Sequence, residues 1–293
     1  MRIYNECISC ILKGALDAAK LSTEDEIVHR RILNMTMERL IAADYDEPPP
    51  VIAGNTQKLI RKITGNPDPY KNMKKLYNDF ALEIYPDLRK MVEESAHPFE
   101  KAVKIAIAGN IIDFGAFPDL GRERIVHAIE QAVDSGVNGS LSWFEELSER
   151  AGRILWLGDN TGEIVLDRLL LDQMDRSKVV YAVRGNPILN DATYEDAVYT
   201  GITDVVEVID NGSDLPKTLF DKCSDRFREE YESADLIISK GQGNYETLPH
   251  NDERIVFLFK VKCDVVARES ARPEGESAVL SHSGVHARPD FQP

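Results

Sequence analysis

Hydrophobic and polar residues follow two different patterns in the two halves of the chain. In residues 1 to about 150, apolar positions recur at intervals of three and four, the spacing of amphipathic helices. Such segments lie at 8–19, 27–41, 70–85, 99–110, 126–135 and 141–151. Proline clusters at 48–50 and 67–69 interrupt the pattern, because proline lacks a backbone donor and restricts the preceding residue. We therefore predict a helical region over residues 1–150, and its division into two helical subdomains near 47–70 stays open.

From residue 151 onward, short apolar runs alternate with helical stretches. The runs lie at 154–157, 179–183, 205–209, 236–239 and 255–259, and helical segments fit near 162–174, 191–200 and 214–232. Continuous apolar runs separated by helices are typical of parallel strands buried on both faces. The pattern predicts an α/β fold with a parallel sheet over 151–270. The end of the chain is small, polar and proline-containing, and we predict a poorly ordered tail over 271–293.

Small polar residues follow four of the predicted strands. In an open parallel sheet, ligands bind beyond the carboxyl ends of the strands, so these segments are candidates for a site. In chain order they are Gly158-Asp159-Asn160-Thr161-Gly162-Glu163, then Arg184-Gly185-Asn186-Pro187 with Asn190-Asp191, then Asp210-Asn211-Gly212-Ser213-Asp214, and finally Lys240-Gly241-Gln242-Gly243-Asn244-Tyr245-Glu246.

The residue types in these segments indicate metal-assisted phosphoryl chemistry. The Asp and Asn oxygen atoms in these segments would be hard ligands suited to Mg²⁺, Mn²⁺ or a similar ion. Lys240 would neutralise the oxygens of a phosphate. Simpler interpretations stay open: the Asp-Asn-Thr-Gly segment as a turn, Asp191 as a helix N-cap, and Lys240 as a solvated surface lysine.

The charge of the chain narrows the choice of partners. The sequence has 35 Lys and Arg against 50 Asp and Glu, a net charge of −15 with a pI of about 4.9. This balance argues against nucleic acid and against an anionic membrane surface. No apolar run approaches the ~20 residues of a membrane span, and the first residues lack the apolar region of a leader peptide, so we expect a cytoplasmic protein. A bound divalent ion would reconcile this acidity with an anionic substrate.

Two of the four cysteines form the pair Cys7-x-x-Cys10. A structural zinc site uses four ligands, and no second pair lies nearby in the sequence. Redox activity would need a thioredoxin-like setting, which a helical context does not provide. Structural cysteines, metal ligands and a redox pair all remain open for Cys7 and Cys10.

Four segments together resemble one known family. The motifs at 158–163, 184–193 and 239–246, preceded by Ala108-Gly109-Asn110-Ile111-Ile112-Asp113-Phe114, are similar to those of the damage-control phosphatases, once labelled acidic-residue methyltransferases. They stand in the family's order, and the resemblance covers roughly residues 3–270. The Cys7-x-x-Cys10 pair resembles one that is typical of the small prokaryotic branch of that family.

The resemblance implies a helical N-terminal region followed by a Rossmann-like α/β/α domain with a mostly parallel sheet. It also implies hydrolysis of phosphate monoesters of small metabolites, such as sugar phosphates or damaged phosphometabolites, with Mn²⁺, Co²⁺, Ni²⁺ or Mg²⁺. Asp159, Asn160 and Asp191 would be the metal ligands and, with Lys240, the catalytic residues. The residues expected to bind substrate are Asn110, Asp113, Gly162, Glu163, Arg184, Asn244 and Glu246.

Other functions remain as alternatives. A Rossmann-like module could hold a nucleotide or phosphometabolite without turnover. A methyltransferase is disfavoured, because Asp159 stands where a glycine-rich loop would approach S-adenosylmethionine. A haloacid-dehalogenase-like phosphatase is disfavoured too, because Thr161 breaks the Asp-x-Asp pattern. Specificity is expected in the helical half facing the strand ends, and a homo-oligomer is left open.

Overall fold

The structure, a computed structural model, describes residues 1–109 and 122–281. In these ranges the chain forms helices and one mostly parallel sheet, so the predicted α/β fold is confirmed. The helices are α1 (Asn5–Ser22), α2 (Glu26–Ile41), α3 (Pro49–Thr64), α4 (Lys71–Glu93), α5 (Pro98–Ala108), α6 (Arg122–Asp134), α7 (Leu141–Arg150), α8 (Glu163–Leu171), α9 (Tyr194–Thr200), α10 (Asp225–Ser233), α11 (Gln242–Thr247) and α12 (Asp264–Ser270). The strands are β1 (Ile154–Leu157), β2 (Val179–Val183), β3 (Glu207–Asp210), β4 (Leu236–Lys240), β5 (Ile255–Lys260) and β6 (Ser277–Ser281).

Helices α1, α2 and α3 pack around a small core of their own, which contains Ala15, Ala18, Ile32 and Ile60. Helix α3 begins inside the proline cluster that the sequence pattern treats as an interruption. Proline is well suited to the first turn of a helix, where its missing N–H would have no intrahelical partner. The segment 47–70 therefore holds a helix, and the prolines mark its start.

The sheet has the strand order β3-β2-β1-β4-β5-β6. The first five strands are parallel to their neighbours, and β6 pairs antiparallel with β5. Helices α4, α5 and α8 pack on one face of the sheet, and α10, α11 and α12 pack on the other. The strand order reverses between β1 and β4, so the loops after these two strands border the crevice where doubly wound folds bind ligands.

Two strands differ from the sequence pattern. Strand β3 starts at Glu207, because residues Ile202–Asp204 form a 3₁₀ turn that delays its start. The sequence predicts a poorly ordered tail over 271–293, but residues 277–281 form strand β6. The prediction is therefore wrong over 277–281. The buried apolar stretch of β6, 278–280, is too short to stand out as a strand in the sequence. The rest of the predicted tail, 282–293, lies outside the described residues.

Among the described helices, none combines the length and the apolar character that crossing a bilayer would require.

Candidate active site

The loop after β1 holds Asp159 and Asn160 at the edge of the sheet. The Gly158 N–H donates to the Ala182 carbonyl on β2 over 3.0 Å. At the other end of the loop, Gly162 has a φ of +77°, and its N–H donates to Asn78 Oδ1 of α4 over 2.7 Å. Asp159 is thereby fixed between the sheet and the helical half, with 2% of its surface exposed.

The loop after β2 is bonded directly to the loop after β1. The Thr161 N–H donates to the Asn190 carbonyl, and the Ala192 N–H donates to the Asp159 carbonyl, both over 2.9 Å. Asn160 and Asp191 form an isolated bridge between the two loops. The three proposed metal ligands, Asp159, Asn160 and Asp191, therefore lie together, although they come from two different strand ends.

Lys217 joins these three residues from the loop after β3. Its Nζ lies 2.5 Å from Asp159 Oδ1, 2.8 Å from Asp191 Oδ1 and 3.3 Å from Asn160 Oδ1. Burial disfavours the charged form of Lys217, but the two carboxylates outweigh it and raise the pKa of this lysine. Sequence motifs missed Lys217. The signal that could have found it is a lysine in the polar segment directly after β3, at the same edge of the sheet as Asp159 and Asp191.

Arg184 lies behind this cluster, fully enclosed by protein atoms. Its Nε donates to Asp191 Oδ2 over 2.7 Å, and its Nη2 donates to the Gly158 carbonyl and to Asn244 Oδ1. Burial alone would raise the pKa of Asp191, but Lys217 and Arg184 more than offset it and lower that pKa. Arg184 and Asn244, expected to bind substrate, are 1% and 0% exposed, so they hold the loops that carry the proposed ligands.

The glycine turn after β4 leaves room for Asp159. At Gly241 the backbone has a φ of +81°, and a Cβ there would stand 1.9 Å from Asp159 Oδ2. A side chain at this position is therefore incompatible with the observed place of the carboxylate. This close approach explains the first glycine of the Gly241-Gln242-Gly243 turn.

We expect Gly241→Ala to lower the stability of the protein more than Gly275→Ala does. Gly275 has a φ of +90°, and a Cβ added there would have no atom within 4 Å. Gly275→Ala therefore loses only the free energy that a positive φ costs a residue with a side chain. The clash with Asp159 should add roughly 1–3 kcal/mol, the usual cost of an overpacked site. Urea unfolding of the two variants measures the difference, and equal midpoints would show that Asp159 moves aside freely.

Lys240 lies beneath the site, on the side of the sheet covered by α5 and α8. Its Nζ donates to Asp167 Oδ1 over 2.5 Å, to Glu163 Oε1 over 2.7 Å and to the Ala106 carbonyl over 3.0 Å. All of its surface is buried. Burial raises the pKa of Glu163 to about 7, even though Lys240 acts in the opposite direction. Lys240 is thus engaged with the helices, and Glu163 links it to Asn160, whose Nδ2 lies 3.5 Å from Glu163 Oε2.

A cavity of about 450 Å³ opens in front of Asp159, Asn160 and Lys217. Helices α1 and α3 supply much of its wall, including Ile11, Ala15, Pro50 and Ala53. Further wall residues are Glu246, Gln242, Cys7, Cys10, Cys263 and Lys262. Glu246, expected to bind substrate, therefore reaches the cavity, and burial raises the pKa of its carboxyl. The Cys7-x-x-Cys10 pair lies on this wall as well, and burial raises the pKa of Cys7.

The structure brings together some predicted site residues and separates others. Asp159, Asn160 and Asp191 meet at one point, and Glu246 faces the same cavity. Gly162 shapes the loop, and Glu163 belongs to the ion pairs of Lys240. Asn110 and Asp113 lie outside the described residues.

The donor set fits a divalent cation of hard character. Three side-chain oxygens, two of them anionic, converge on a single cationic atom, Lys217 Nζ. Such oxygens are the ligands preferred by Mg²⁺ and Mn²⁺. The described residues contain no group of three or more His, Cys, Asp or Glu side chains placed to hold a metal ion, so a site here depends on the amide oxygen of Asn160.

Comparison with known proteins gives consistent matches over nearly the whole chain. Residues 3–278 match the family model of the damage-control phosphatase ARMT1-like domain. The chain is 34% identical to a damage-control phosphatase of Pyrococcus horikoshii over 283 residues, covering 94% of this chain and 96% of that protein. It is 33% identical to a damage-control phosphatase of Archaeoglobus fulgidus over 277 residues, covering 92% and 95%.

One further relative has no activity in its name, and one relative has a solved structure. An uncharacterised protein of Methanocaldococcus jannaschii is 35% identical over 296 residues, covering 96% of this chain and 95% of that one. The Pyrococcus horikoshii phosphatase named above also has a crystal structure, described as that of a DUF89 family protein, which superposes with a TM-score of 0.89 at 30% identity, covering 96% of this chain and 99% of that chain.

Proposed function

Because the chain belongs to the damage-control phosphatase ARMT1-like family, we propose that it hydrolyses phosphate monoesters of small metabolites with the help of a divalent metal ion. The observation that carries this proposal is the convergence of Asp159, Asn160 and Asp191 on one cationic atom of Lys217, a residue that lines a cavity. The family places the protein among the phosphatases. The metal ion rests on the geometry of the site, and the choice of phosphate monoesters rests on the family resemblance.

Asp159, Asn160 and Asp191 would hold the ion. When bound, a divalent ion supplies Lewis-acid polarisation of a phosphoryl oxygen. Arg184 fixes the carboxylate of Asp191 from the side away from the cavity, so this ligand is oriented before anything binds. Lys217 places a positive charge on the wall of the cavity, within reach of the phosphate of a bound substrate. With a divalent ion added to Lys217, Arg184 and the two carboxylates, the cluster would carry a net positive charge and attract an anion locally, despite the acidity of the whole protein.

The cavity also supports a small substrate. Its volume of about 450 Å³ lies in the range of pockets that enclose metabolite-sized ligands. Ile11 and Ala15 of α1, with Pro50 and Ala53 of α3, form an apolar wall opposite the ligands. Helices α1 and α3 would therefore contact the organic part of the ester, which places specificity in the helical half of the chain.

We expect the purified protein to release p-nitrophenol from p-nitrophenyl phosphate when Mn²⁺, Co²⁺, Ni²⁺ or Mg²⁺ is added. Protein treated with a chelator should be inactive, and adding back one of the ions should restore the activity. Absorbance at the nitrophenolate band measures the rate. Binding of phosphorylated metabolites with no release of phosphate under any of the four ions would favour the non-catalytic module instead.

A further inference from the structure

We propose that the Lys217 ammonium fills the cation position of this site whenever no metal is bound, and that a divalent ion enters by expelling it. Metal binding would then be an exchange of one cation for another at the same three oxygens. This inference rests on the metal site of the proposed function. It adds a role for a residue that no sequence motif marked.

The contacts of Lys217 make the two cations mutually exclusive. Its Nζ lies within hydrogen-bonding distance of Asp159 Oδ1 and Asp191 Oδ1, at 2.5 and 2.8 Å, and 3.3 Å from Asn160 Oδ1. An ion held by these three oxygens needs the place that Nζ occupies. The ammonium also pairs with both buried carboxylates, and Arg184 pairs with Asp191 as well. Such pairing offsets the cost of burying the two negative charges. The pairing therefore keeps the ligand set assembled before an ion arrives.

The backbone conformation at Lys217 directs its side chain toward Asp159 and Asp191. Lys217 has a φ of +65°, a conformation that is unfavourable for a residue with a side chain. Its own N–H donates to Asp191 Oδ2 over 3.1 Å, which fixes the start of the side chain beside the ligands. A strained position of this kind persists when the surroundings hold it in place, and it is typical of functional sites.

The side chain of Lys217 lies along the backbone of Gly243. A Cβ on Gly243 would stand 2.6 Å from both Cγ and Cε of Lys217, so the aliphatic stem lies directly against the glycine backbone. Together, Gly241 and Gly243 explain the glycine-rich turn after β4, since the first makes room for Asp159 and the second for Lys217. The turn thus accommodates both an anionic ligand and the cation that pairs with it.

The exchange has consequences for the charge of the site. With Lys217 in place, the positive charges of Lys217 and Arg184 balance Asp159 and Asp191. An ion that expels the ammonium must compete with it, so the apparent affinity for metal is lower than that of the oxygens alone. Because Lys217 lines the cavity, its expelled ammonium would stay within reach of a phosphoryl oxygen there.

Lys217→Met tests the exchange, because it keeps the stem and removes the charge. In metal-free protein titrated with Mn²⁺, with free ion followed by electron paramagnetic resonance, we expect this variant to bind at least about tenfold more tightly than wild type, within the usual range of coupling between two ligands. The matched control is Lys262→Met, which removes an exposed cation from the same cavity wall without touching the ligands. We expect its affinity for Mn²⁺ to stay close to wild type.

Equal Mn²⁺ affinity of wild type and Lys217→Met would overturn the exchange while leaving the metal site intact, as would an equal gain in Lys262→Met. Absence of Mn²⁺ binding in both wild type and Lys217→Met would overturn the metal site itself and this inference with it.

A second measurement uses wild-type protein and does not depend on the folding of a variant. We expect Mn²⁺ to increase the rate at which formaldehyde and a borohydride reagent methylate Lys217, measured by peptide mass spectrometry, because the ammonium leaves its buried ion pairs. Unchanged or slower methylation of Lys217 in the presence of saturating Mn²⁺ would show that the ammonium stays in place.

Discussion

Asp159→Asn is expected to reduce metal-dependent hydrolysis of p-nitrophenyl phosphate by roughly a hundredfold or more, since even a residue that merely supports a metal ligand costs 10–100-fold when it is replaced. The substitution preserves the shape of the side chain and removes its negative charge. Asp159 Oδ1 is the oxygen nearest to Lys217 Nζ, at 2.5 Å, and it would be an anionic ligand of the ion. Steady-state kinetics over a range of Mn²⁺ concentrations measure the loss.

The fold should survive this substitution. Lys217 keeps Asp191 as an anionic partner at 2.8 Å, and the loop after β1 is held by backbone bonds that the variant does not touch. The matched control is Asp210→Asn, the same chemical change at the end of the parallel strand β3, where the carboxylate is exposed and bonds to the Gly212 N–H. Full activity in Asp159→Asn, or an equal loss in Asp210→Asn, would contradict the assignment.

The meeting of Asp159, Asn160 and Asp191 could be predicted from the sequence for a simple reason. They follow apolar runs that read as buried parallel strands, and the carboxyl ends of such strands share one edge of the sheet. The structure shows that β1 and β2 are neighbours and that their two loops are bonded to each other. The roles of these residues as metal ligands stay a prediction.

Lys217 could not be found in the same way. It lies seven positions beyond the end of β3, in a loop whose path depends on a positive φ at Lys217 itself. Conformations of this kind are favoured by glycine, so a lysine gives no signal of one in the sequence. The contact arises from the folded loop and from the space left by Gly243.

The environment of Lys240 could have been deduced from strand geometry. Side chains alternate between the two faces of a strand, so Lys240 shares a face with Leu236 and Ile238. Both of those residues belong to the core beneath α5 and α8, whereas Ile237 belongs to the core on the opposite face. The position at a strand end suggested a phosphate ligand, but the alternation along β4 directs the side chain into the helical layer.

Lys240 is the centre of a fully buried polar network. Besides Lys240, Asp167 accepts hydrogen bonds from Tyr181 Oη over 2.7 Å and from Trp156 Nε1 over 3.2 Å. Glu163 completes the set, one cation between two carboxylates. Burying charges is costly, and the cost is offset only while their partners remain. Because Glu163 is also close to Asn160, the network supports the position of the loop that carries the proposed metal ligands.

Lys240→Met is expected to destabilise the protein by about 3–5 kcal/mol, the usual cost of removing one partner from a buried ion pair. Methionine fills much of the same space, but it leaves Glu163 and Asp167 as neighbouring buried carboxylates without their cation. Urea unfolding of metal-free protein measures the change. Lys75→Met, which removes a lysine from the exposed pair with Asp79, should leave the midpoint close to wild type, because water already solvates both partners. A wild-type midpoint for Lys240→Met would mean that Glu163 and Asp167 do not depend on Lys240 as their hydrogen-bond donor. The interpretation of Lys240 as a phosphate ligand would then be favoured.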